Sequence, residues 1–187
     1  RVPPTKELTR EQALAQLTRR YFTSRTPAAL KDFVWWSGLT VADAREGLHL
    51  LESDVTSEVI DGETYWFALA APAKSVAPAA NRTPRVHLLP NFDEYTVAYT
   101  DRSAVFDALL APELDLQSHV LFNHLMVFDG LVIGTWKQTL RKKAVVITCS
   151  PFMALTDDQS AAIHAAAERY SGFLQLPVSL EWGSSVA

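Results

Sequence analysis

In the first third of the chain, apolar positions recur with the period of an α-helix in three successive segments. The first segment follows a capping box that begins at Thr9, and it covers residues 10–23. The second begins at Pro27 after a capping threonine and is broken by Gly38, and the third follows Thr40. The pattern therefore predicts three consecutive helices.

Two short segments typical of strands follow the helices, at residues 57–60 and 63–69, and Asp61-Gly62 separates them. An Asp-Gly pair in this context favours a two-residue hairpin turn, because both central positions of that turn need a positive φ. Three helices followed by a hairpin are typical of a winged helix. We therefore expect residues 1–70 to form a winged-helix domain.

The rest of the chain predicts a linker and a second domain. Residues 71–86 are rich in alanine and proline without an apolar period, which indicates the linker. In the second domain, residues 87–187, Asp129-Gly130 predicts another hairpin, residues 144–149 a strand, and Thr156 the cap of a long helix. The expected fold class is α+β: a winged helix, then a small, mostly antiparallel sheet with one long helix.

The remaining signals in the second domain are shorter. Residues 87–89 and 178–182 are typical of strands, residues 95–99 alternate in part like a strand, and residues 104–110 favour a short helix. Gly172 is expected to end the long helix, because glycine is favoured just beyond a helix C-terminus.

Composition is that of an ordinary soluble globular protein, with 48% apolar and 20% charged residues. No apolar run approaches the roughly 18 residues that a membrane span needs. The single cysteine, Cys149, excludes an internal disulfide and favours a reducing compartment, so we expect a cytoplasmic location. Because the chain begins with Arg1 rather than methionine, we interpret it as a processed or trimmed piece of something longer.

The formal net charge of −4 argues against a dedicated nucleic-acid binder, but the positive charges are clustered. No acidic residue occurs in residues 64–92 or in residues 130–156. The first interval contains Lys74, Arg82 and Arg85, and the second contains Lys137, Arg141, Lys142 and Lys143. Two basic clusters therefore lie in an otherwise acidic chain.

The second cluster has the spacing of a phosphate-binding strand. If residues 136–143 form an extended arm or hairpin, strand alternation places one set of side chains on one side, namely Lys137, Thr139, Arg141 and Lys143. Trp136, on the other side with Gln138 and Leu140, is either buried or able to stack on a base. The ordinary alternative is a solvated lysine-rich turn, or edge lysines that prevent aggregation.

We rank the candidate DNA-binding residues by this clustering. Lys137, Arg141, Lys142 and Lys143 come first, as contacts to phosphates that position the protein without reading sequence. Arg82 and Arg85 come second and Arg25 third, and Trp136 is a candidate for stacking.

The third helix, which reads the major groove in a conventional helix-turn-helix, has the wrong charge for that role. Within residues 40–52 it carries three acids and few cations, namely Asp43, Glu46 and Glu52 against Arg45 and His49. Phosphates would repel such a surface. This helix is therefore expected to pack against the domain or to contact a protein partner.

Few patterns of catalytic or metal chemistry are present. The five histidines are scattered, and only His119 and His124 are close, at a spacing that fits no zinc site. The chain has no glycine-rich phosphate loop and no Gly-x-Ser-x-Gly. Asp93-Glu94 is a candidate acid–base pair, with Asp101-Arg102 as its partner. The preferred interpretation is that Asp93 and Arg102 hold the loop by hydrogen bonds or an ion pair. We expect no metal, no cofactor and no catalytic residue.

Three segments, taken together and in this order, are similar to one family: TPAALKDFVWWSGL at 26–39, LLPNFDEYTVAYTDRS at 88–103 and DGLVIGTWKQTLRKKAVV at 129–146. They resemble the winged helix DNA-binding domain family related to the AlkZ/YcaQ-type DNA glycosylases. The resemblance covers about residues 5–182 and is to the C-terminal half of that family only.

The resemblance implies DNA binding by tandem winged helices, coupled in some members to excision of alkylated or crosslinked bases. It also implies a catalytic Gln-x-Gln or Gln-x-Asp motif in the N-terminal half, and none of the six glutamines of this chain forms such a pair. We therefore expect a DNA-binding module, with duplex DNA as partner, from a longer DNA-binding or DNA-repair protein. The alternatives are the DNA-gripping half of a base-excision glycosylase whose N-terminal half is missing, and a protein-interaction module.

Overall fold

A computed structural model describes residues 7–51, 53–69, 85–106 and 123–183. By its internal contacts the chain divides into two units. The first contains Arg1–Val76 and Val97–Asp101, and the second contains Ala77–Thr96 and Arg102–Ala187. Both units mix helix and strand, so the α+β class holds for each of them. No helix in these described ranges is long and apolar enough to cross a membrane.

Three helices open the first unit: α1 (Arg10–Ser24), α2 (Leu30–Ser37) and α3 (Val41–His49). The capping box at the start of α1 is confirmed, because the Thr9 hydroxyl accepts the Gln12 N–H and the Gln12 side chain accepts the Thr9 N–H. Thr40 caps α3 in the same way, through the Asp43 N–H at 3.1 Å.

The start of α2 was wrongly predicted at Pro27. Ala28–Ala29 instead form a short strand, β1, that pairs antiparallel with residues 65 and 66. The helix begins only at Leu30, where the Asp32 carboxylate accepts the Ala29 N–H at 2.9 Å. A long-range strand pairing therefore overrides the local preference of proline for the first turn of a helix.

The hairpin of the first unit is confirmed. It consists of β2 (Val55–Ile60) and β3 (Glu63–Ala68), and the strand order of the sheet is β1-β3-β2. Asp61 and Gly62 have φ values of 50° and 82°, as a two-residue turn with positive φ at both positions requires. Helices and sheet enclose an aromatic core that includes Tyr21, Phe22 and Phe33.

Residues 97–101 belong to the first unit although the sequence assigned them to the second domain. Asp32, only 3% exposed, explains this position. Its carboxylate accepts the backbone N–H of Thr100 at 2.8 Å and the Thr100 hydroxyl at 2.6 Å. The Tyr21 hydroxyl donates to the Ala98 carbonyl at 3.0 Å. A buried carboxylate needs such donors, and this segment supplies two of them.

In its described residues, the second unit contains one sheet, one long helix and two short helical turns. Its elements are β4 (Val86–Leu89), α4 (Glu94–Val97), a 3-10 turn (Ser103–Val105), β5 (His124–Phe128), β6 (Leu131–Arg141), β7 (Ala144–Pro151), α5 (Asp157–Leu174) and β8 (Val178–Trp182). The strand order is β4-β5-β6-β7-β8, antiparallel except for the parallel pair β7-β8. Asp129 and Gly130 form the predicted turn, with φ values of 46° and 89°.

Three local predictions for this unit need correction. The strand predicted over residues 95–99 is instead the helical turn α4. Where a helix was predicted over 104–110, the structure has a 3-10 turn, Ser103–Val105, that ends at the extended residue Phe106, and residues 107–110 lie outside the described residues. Helix α5 continues through Gly172 to Leu174, and Gln175 ends it in the left-handed conformation at φ 55°. The Gln175 N–H donates to the Ser171 carbonyl, which closes the last turn.

The core of the second unit lies between the sheet and α5. The residues buried there include Met126, Trp136, Val145, Ile147 and Ile163. A smaller, separate group of buried residues, which includes Phe106, Leu125 and Val132, packs on the sheet without α5. The sheet thus has an apolar side under α5, and this arrangement decides which side chains of β6 reach the solvent.

Candidate nucleic-acid interface

The longest strand, β6, extends past its neighbour β5. Pairing between these two strands ends at His124 and Trp136, whereas β6 continues to Arg141 in register with β7. Arg141 pairs with Ala144, so Lys142 and Lys143 form a two-residue turn. We call residues 137–148 the basic arm. Among the described residues, its β6 strand has no partner on the β5 side over five residues, roughly 17 Å.

The two faces of this arm differ in chemistry, as strand alternation predicts. Lys137, Thr139 and Arg141 share one face, and Thr148 lies opposite Lys137 on β7. Gln138 and Leu140 share the other face with Trp136, and there the Tyr170 hydroxyl of α5 donates to the Gln138 side chain. Lys143 does not follow the predicted alternation, because it belongs to the turn and not to the strand.

All four cations of the arm are exposed and lack an acidic partner among the described residues. Within the part of the chain that the structure describes, Lys137, Arg141, Lys142 and Lys143 form no ion pair with a carboxylate. Three cations of the first unit, in contrast, are paired: Arg10 with Asp43 and Glu46, Arg19 with Asp54, and Lys31 with Glu63. The arm therefore concentrates positive charge that the described protein does not neutralise.

The prediction that Trp136 stacks on a base is wrong, because this side chain belongs to the core. Its exposed fraction is only 6%, and its indole N–H donates to the Leu89 carbonyl at 2.8 Å. The ring packs edge-on against His124 and Tyr170, with centroid distances of 5.0 and 5.6 Å. Trp136 anchors the base of the arm to the sheet and to α5, and it has no free face for a ligand.

The other ranked arginines do not join the arm. Arg85 is exposed, but it precedes Val86, which pairs with Phe128 at the end of β5 opposite to the arm. Arg82 lies outside the described residues. The Arg25 guanidinium lies 4.9 Å from the centroid of the Trp36 ring and donates to the Ser24 hydroxyl, so it is engaged within the first unit.

A family model described as "DNA glycosylase AlkZ-like" matches residues 1–173. The chain belongs to the AlkZ-like DNA glycosylase family. The structure of the DNA glycosylase AlkZ from Streptomyces sahachiroi superposes on it with a TM-score of 0.64 and 17% sequence identity. The match covers 94% of this chain and 47% of that one, so the chain spans about half the length of that structure. No curated protein sequence matches it significantly.

These comparisons refine the resemblance inferred from the three segments. The AlkZ-like family is as expected, and the structural likeness shows a shared mixed α+β fold. The restriction to the C-terminal half of the family is not supported, because the family model covers nearly the whole chain. At 17% identity the structural match carries the fold alone.

In this AlkZ-like chain, α3 and its surroundings retain the acidic character expected from the sequence. The pKa of Asp43 lies below its usual value, mainly because the Thr40 hydroxyl donates to the carboxylate, with Arg10 also contributing. Arg10 also contacts Glu46, and Glu52 lies outside the described residues. Since the Asp43 carboxylate remains ionised at neutral pH, the exposed surface of α3 offers phosphates little attraction.

The loop around Asp93 is held by hydrogen bonds, as the preferred interpretation of the sequence predicts. Asp93 accepts the Tyr95 N–H at 2.9 Å, and the Arg102 guanidinium donates to the Thr96 carbonyl at 2.6 Å.

The described residues contain no group of three or more side chains suited to a metal ion. Burial raises the pKa of the Cys149 thiol to about 11, so this thiol stays protonated at neutral pH.

Proposed function

We propose that this chain binds duplex DNA through the basic arm. The observation that carries the proposal is the set of four exposed cations, without described carboxylate partners, on one protruding hairpin. A two-stranded ribbon is narrow enough to enter the major groove, which is roughly 12 Å wide. Lys137 and Arg141 share one face and Lys142 and Lys143 form the tip, so the arm can contact phosphates along a backbone.

We further infer that the first unit is a winged helix. The order α1, α2, α3, then the β2–β3 hairpin supports this, together with the short strand β1 that completes the sheet. Its acidic helix and hairpin favour a supporting or protein-binding role for this unit over reading of the groove. Duplex DNA as the ligand, a possible protein partner and a cytoplasmic location remain predictions, to which the family membership lends a DNA-repair context.

The test is a salt titration of DNA affinity. If the arm neutralises four phosphates, the logarithm of the association constant should fall with the logarithm of salt concentration at a slope of roughly −3.6. Replacement of all four cations by alanine (Lys137→Ala, Arg141→Ala, Lys142→Ala, Lys143→Ala) should remove most of this slope and weaken binding to all sequences alike.

A matched control removes the same charge from the first unit through Arg10→Ala, Arg19→Ala, Arg20→Ala and Lys31→Ala. Three of these cations already pair with carboxylates, so their loss should leave the slope close to that of the unaltered protein. An arm variant that binds as well as the parent, or a control variant that loses as much affinity, would contradict the proposed site.

Family membership favours a second function, excision of a damaged base from DNA. The glutamine motif that the resemblance implies is absent from this sequence, and the chain spans only 47% of the AlkZ structure. We therefore assign the chain the task of holding DNA in such a reaction. Incubation with a duplex containing an alkylated base tests this: stable binding without base release is expected, and release would establish a catalytic group within the chain.

A further inference from the structure

Three elements of the first unit, α2, α3 and β3, form the walls of an open groove of about 490 Å³. Its apolar residues are Leu30, Leu48 and Trp66, and its polar residues include Arg45 and Glu63. The volume lies in the range of pockets that take small organic molecules, which are mostly apolar and carry a few polar groups that fix the ligand. The groove therefore has the size and the composition of a small-molecule site.

The apolar side of the groove is continuous with the core of the first unit. Leu48 is a buried member of that core, and Leu30 and Trp66 pack against it while each stays partly accessible. The core holds these three side chains in place whether or not a ligand is present. A planar apolar group can therefore pack against the accessible part of the indole ring without displacing any buried residue.

Arg45 brings to this groove a positive charge that the described residues do not neutralise. It is exposed, and in the described part of the chain it forms no ion pair with a carboxylate. The acidic residues Asp43 and Glu46 belong to the same helix, but helical spacing places them on its other side, where both contact Arg10 of α1. The guanidinium of Arg45 therefore keeps its donors available for a ligand.

The other polar groups of the groove do not oppose an anion. Among the described residues that line the groove, only Glu63 carries a carboxylate, and the Lys31 ammonium binds it at 2.7 Å. His49 follows Arg45 by one turn on the same side of α3, and Thr64 adds a hydroxyl group from β3. The groove thus combines an apolar side with donors suited to one acidic group.

The charges around the groove favour a ligand with a single negative charge. A guanidinium binds a carboxylate through two parallel hydrogen bonds, so Arg45 selects an acid over a neutral molecule of the same shape. A polyanion, in contrast, meets repulsion here, because the β2–β3 hairpin beside the groove carries Glu58 and Asp61. These conditions exclude a nucleic acid and admit a small organic acid.

We propose that this groove binds a small aromatic carboxylate, with the carboxylate on the Arg45 guanidinium and the ring against Trp66. The inference goes beyond the DNA binding proposed for the basic arm and does not depend on it, because every residue of the groove belongs to the first unit. Such a ligand covers the accessible part of the indole ring and supplies the acceptor that Arg45 lacks among the described residues.

The experiment titrates the full chain, labelled with nitrogen-15, with naphthoate at neutral pH, where this acid is ionised. The indole N–H resonance of Trp66, assigned with the variant Trp66→Phe, should shift and reach saturation. Naphthamide has the same ring without the charge. It should bind roughly tenfold more weakly, because it loses the charge-assisted hydrogen bonds to the guanidinium.

Arg45→Gln separates the charge from the apolar contact. It should weaken naphthoate roughly tenfold and leave the affinity for naphthamide nearly unchanged, so the ratio of the two affinities should fall from about ten to about one. Arg20→Gln is the matched control, since Arg20 is an exposed arginine of α1 that does not line the groove. It should keep the ratio near ten, and a melting curve for each variant establishes that it folds.

Lys31→Ala provides an independent test of the charge balance. This change removes the partner of the Glu63 carboxylate, so that carboxylate should repel the acid more strongly. Naphthoate should therefore bind more weakly to Lys31→Ala than to the unaltered chain, and naphthamide should bind equally well to both.

The proposal is wrong if naphthoate at millimolar concentration does not shift the Trp66 resonance. It is also wrong if Arg45→Gln keeps the preference for the acid, or if Arg20→Gln loses it equally. Displacement of naphthoate by duplex DNA, together with a shift of the same resonance by DNA, would make the groove part of a nucleic-acid surface and overturn the proposal. The salt titration of the basic arm tests DNA binding separately, so either proposal can fail alone.

Discussion

The two hairpins of this protein have similar turns and opposite charge. The β2–β3 hairpin of the first unit carries Glu58, Asp61 and Glu63 and no cation. The β6–β7 hairpin of the second unit carries four cations and no acid. Both present an exposed apolar residue near the tip, Val59 at 67% and Leu140 at 61%. Only the second combines that residue with positive charge.

This difference in charge predicts different partners for two hairpins of similar shape. A wing in a winged helix is expected to touch DNA, yet the hairpin of the first unit would bring three carboxylates to the phosphates. Its one described ion pair, Lys31 to Glu63, leaves Glu58 and Asp61 without compensation in the described residues. If the arm binds DNA as proposed, the charge at the tip, and not the shape, separates it from a hairpin suited to another partner.

The strongest test of this contrast gives the arm the charge of the first hairpin. A chain with Lys137→Glu, Arg141→Glu, Lys142→Glu and Lys143→Glu should lose affinity for duplex DNA by about a thousandfold or more at 0.1 M salt, because counterion release is lost and repulsion is added. Fluorescence anisotropy at several salt concentrations measures the loss. The melting temperature should change little, since these side chains are exposed.

The reciprocal variant neutralises the first hairpin through Glu58→Ala, Asp61→Asn and Glu63→Ala. Asparagine at position 61 keeps the positive φ that the turn needs. Since this hairpin is not expected to lie on DNA, affinity should rise by less than about threefold. A tenfold or greater rise would indicate that the first hairpin also approaches the DNA, and the contrast between the two would then fail.

The second test concerns the hydrogen bonds that hold the first unit together. Asp32→Ala should destabilise the first unit by about 3 kcal/mol, because it removes a buried acceptor and leaves the N–H groups of Ala29 and Thr100 without it. Hydrogen exchange should show faster exchange in α2 and β1, with the amides of β6 and β7 much less affected. DNA binding by the arm should persist.

Thr100→Val separates the two contributions, because it removes the hydroxyl at 2.6 Å and keeps the backbone N–H at 2.8 Å. Its cost should be about 1 kcal/mol, well below that of Asp32→Ala. Equal costs for the two variants would mean that the carboxylate does not hold residues 97–101, and their place in the first unit would need another explanation.

The sequence predicts well those features that neighbouring residues determine. Thr9, Thr40 and Thr156 cap helices as expected, because a hydroxyl needs only the N–H three residues later. Both Asp-Gly turns form, because the positive φ they need is a local preference. Strand alternation also places Lys137 and Arg141 on one face of β6 without any knowledge of the fold.

Features that depend on distant residues were missed. Ala28–Ala29 form a strand because β3 lies beside them, and residues 97–101 join the first unit through hydrogen bonds with Asp32, Tyr21 and Trp35. Alternation put Trp136 opposite the lysines but could not show that α5 covers it. The side of β6 was predictable for Lys137, Arg141 and Trp136, whereas burial of the Trp136 side depended on α5, which begins only at Asp157.

The smallest expected changes in stability concern two helical glycines, one in each unit. Gly172 of α5 has open space around the position of a Cβ atom, so Gly172→Ala should stabilise the protein by about 1 kcal/mol, the usual gain in helix propensity. At Gly47 of α3, a Cβ would lie 2.2 Å from the Thr18 hydroxyl oxygen of α1. That hydroxyl is buried and already donates to the Leu14 carbonyl, so it cannot easily move aside.

Gly47→Ala should therefore destabilise the protein by about 1 to 2 kcal/mol despite its better helix propensity, because overpacking outweighs that gain. Urea denaturation of both variants gives the two signs directly. Stabilisation by both would mean that α1 and α3 can separate to admit a methyl group. The glycine of α3 would then be a tolerated weakness of the helix, and not the means by which two helices of the first unit approach closely.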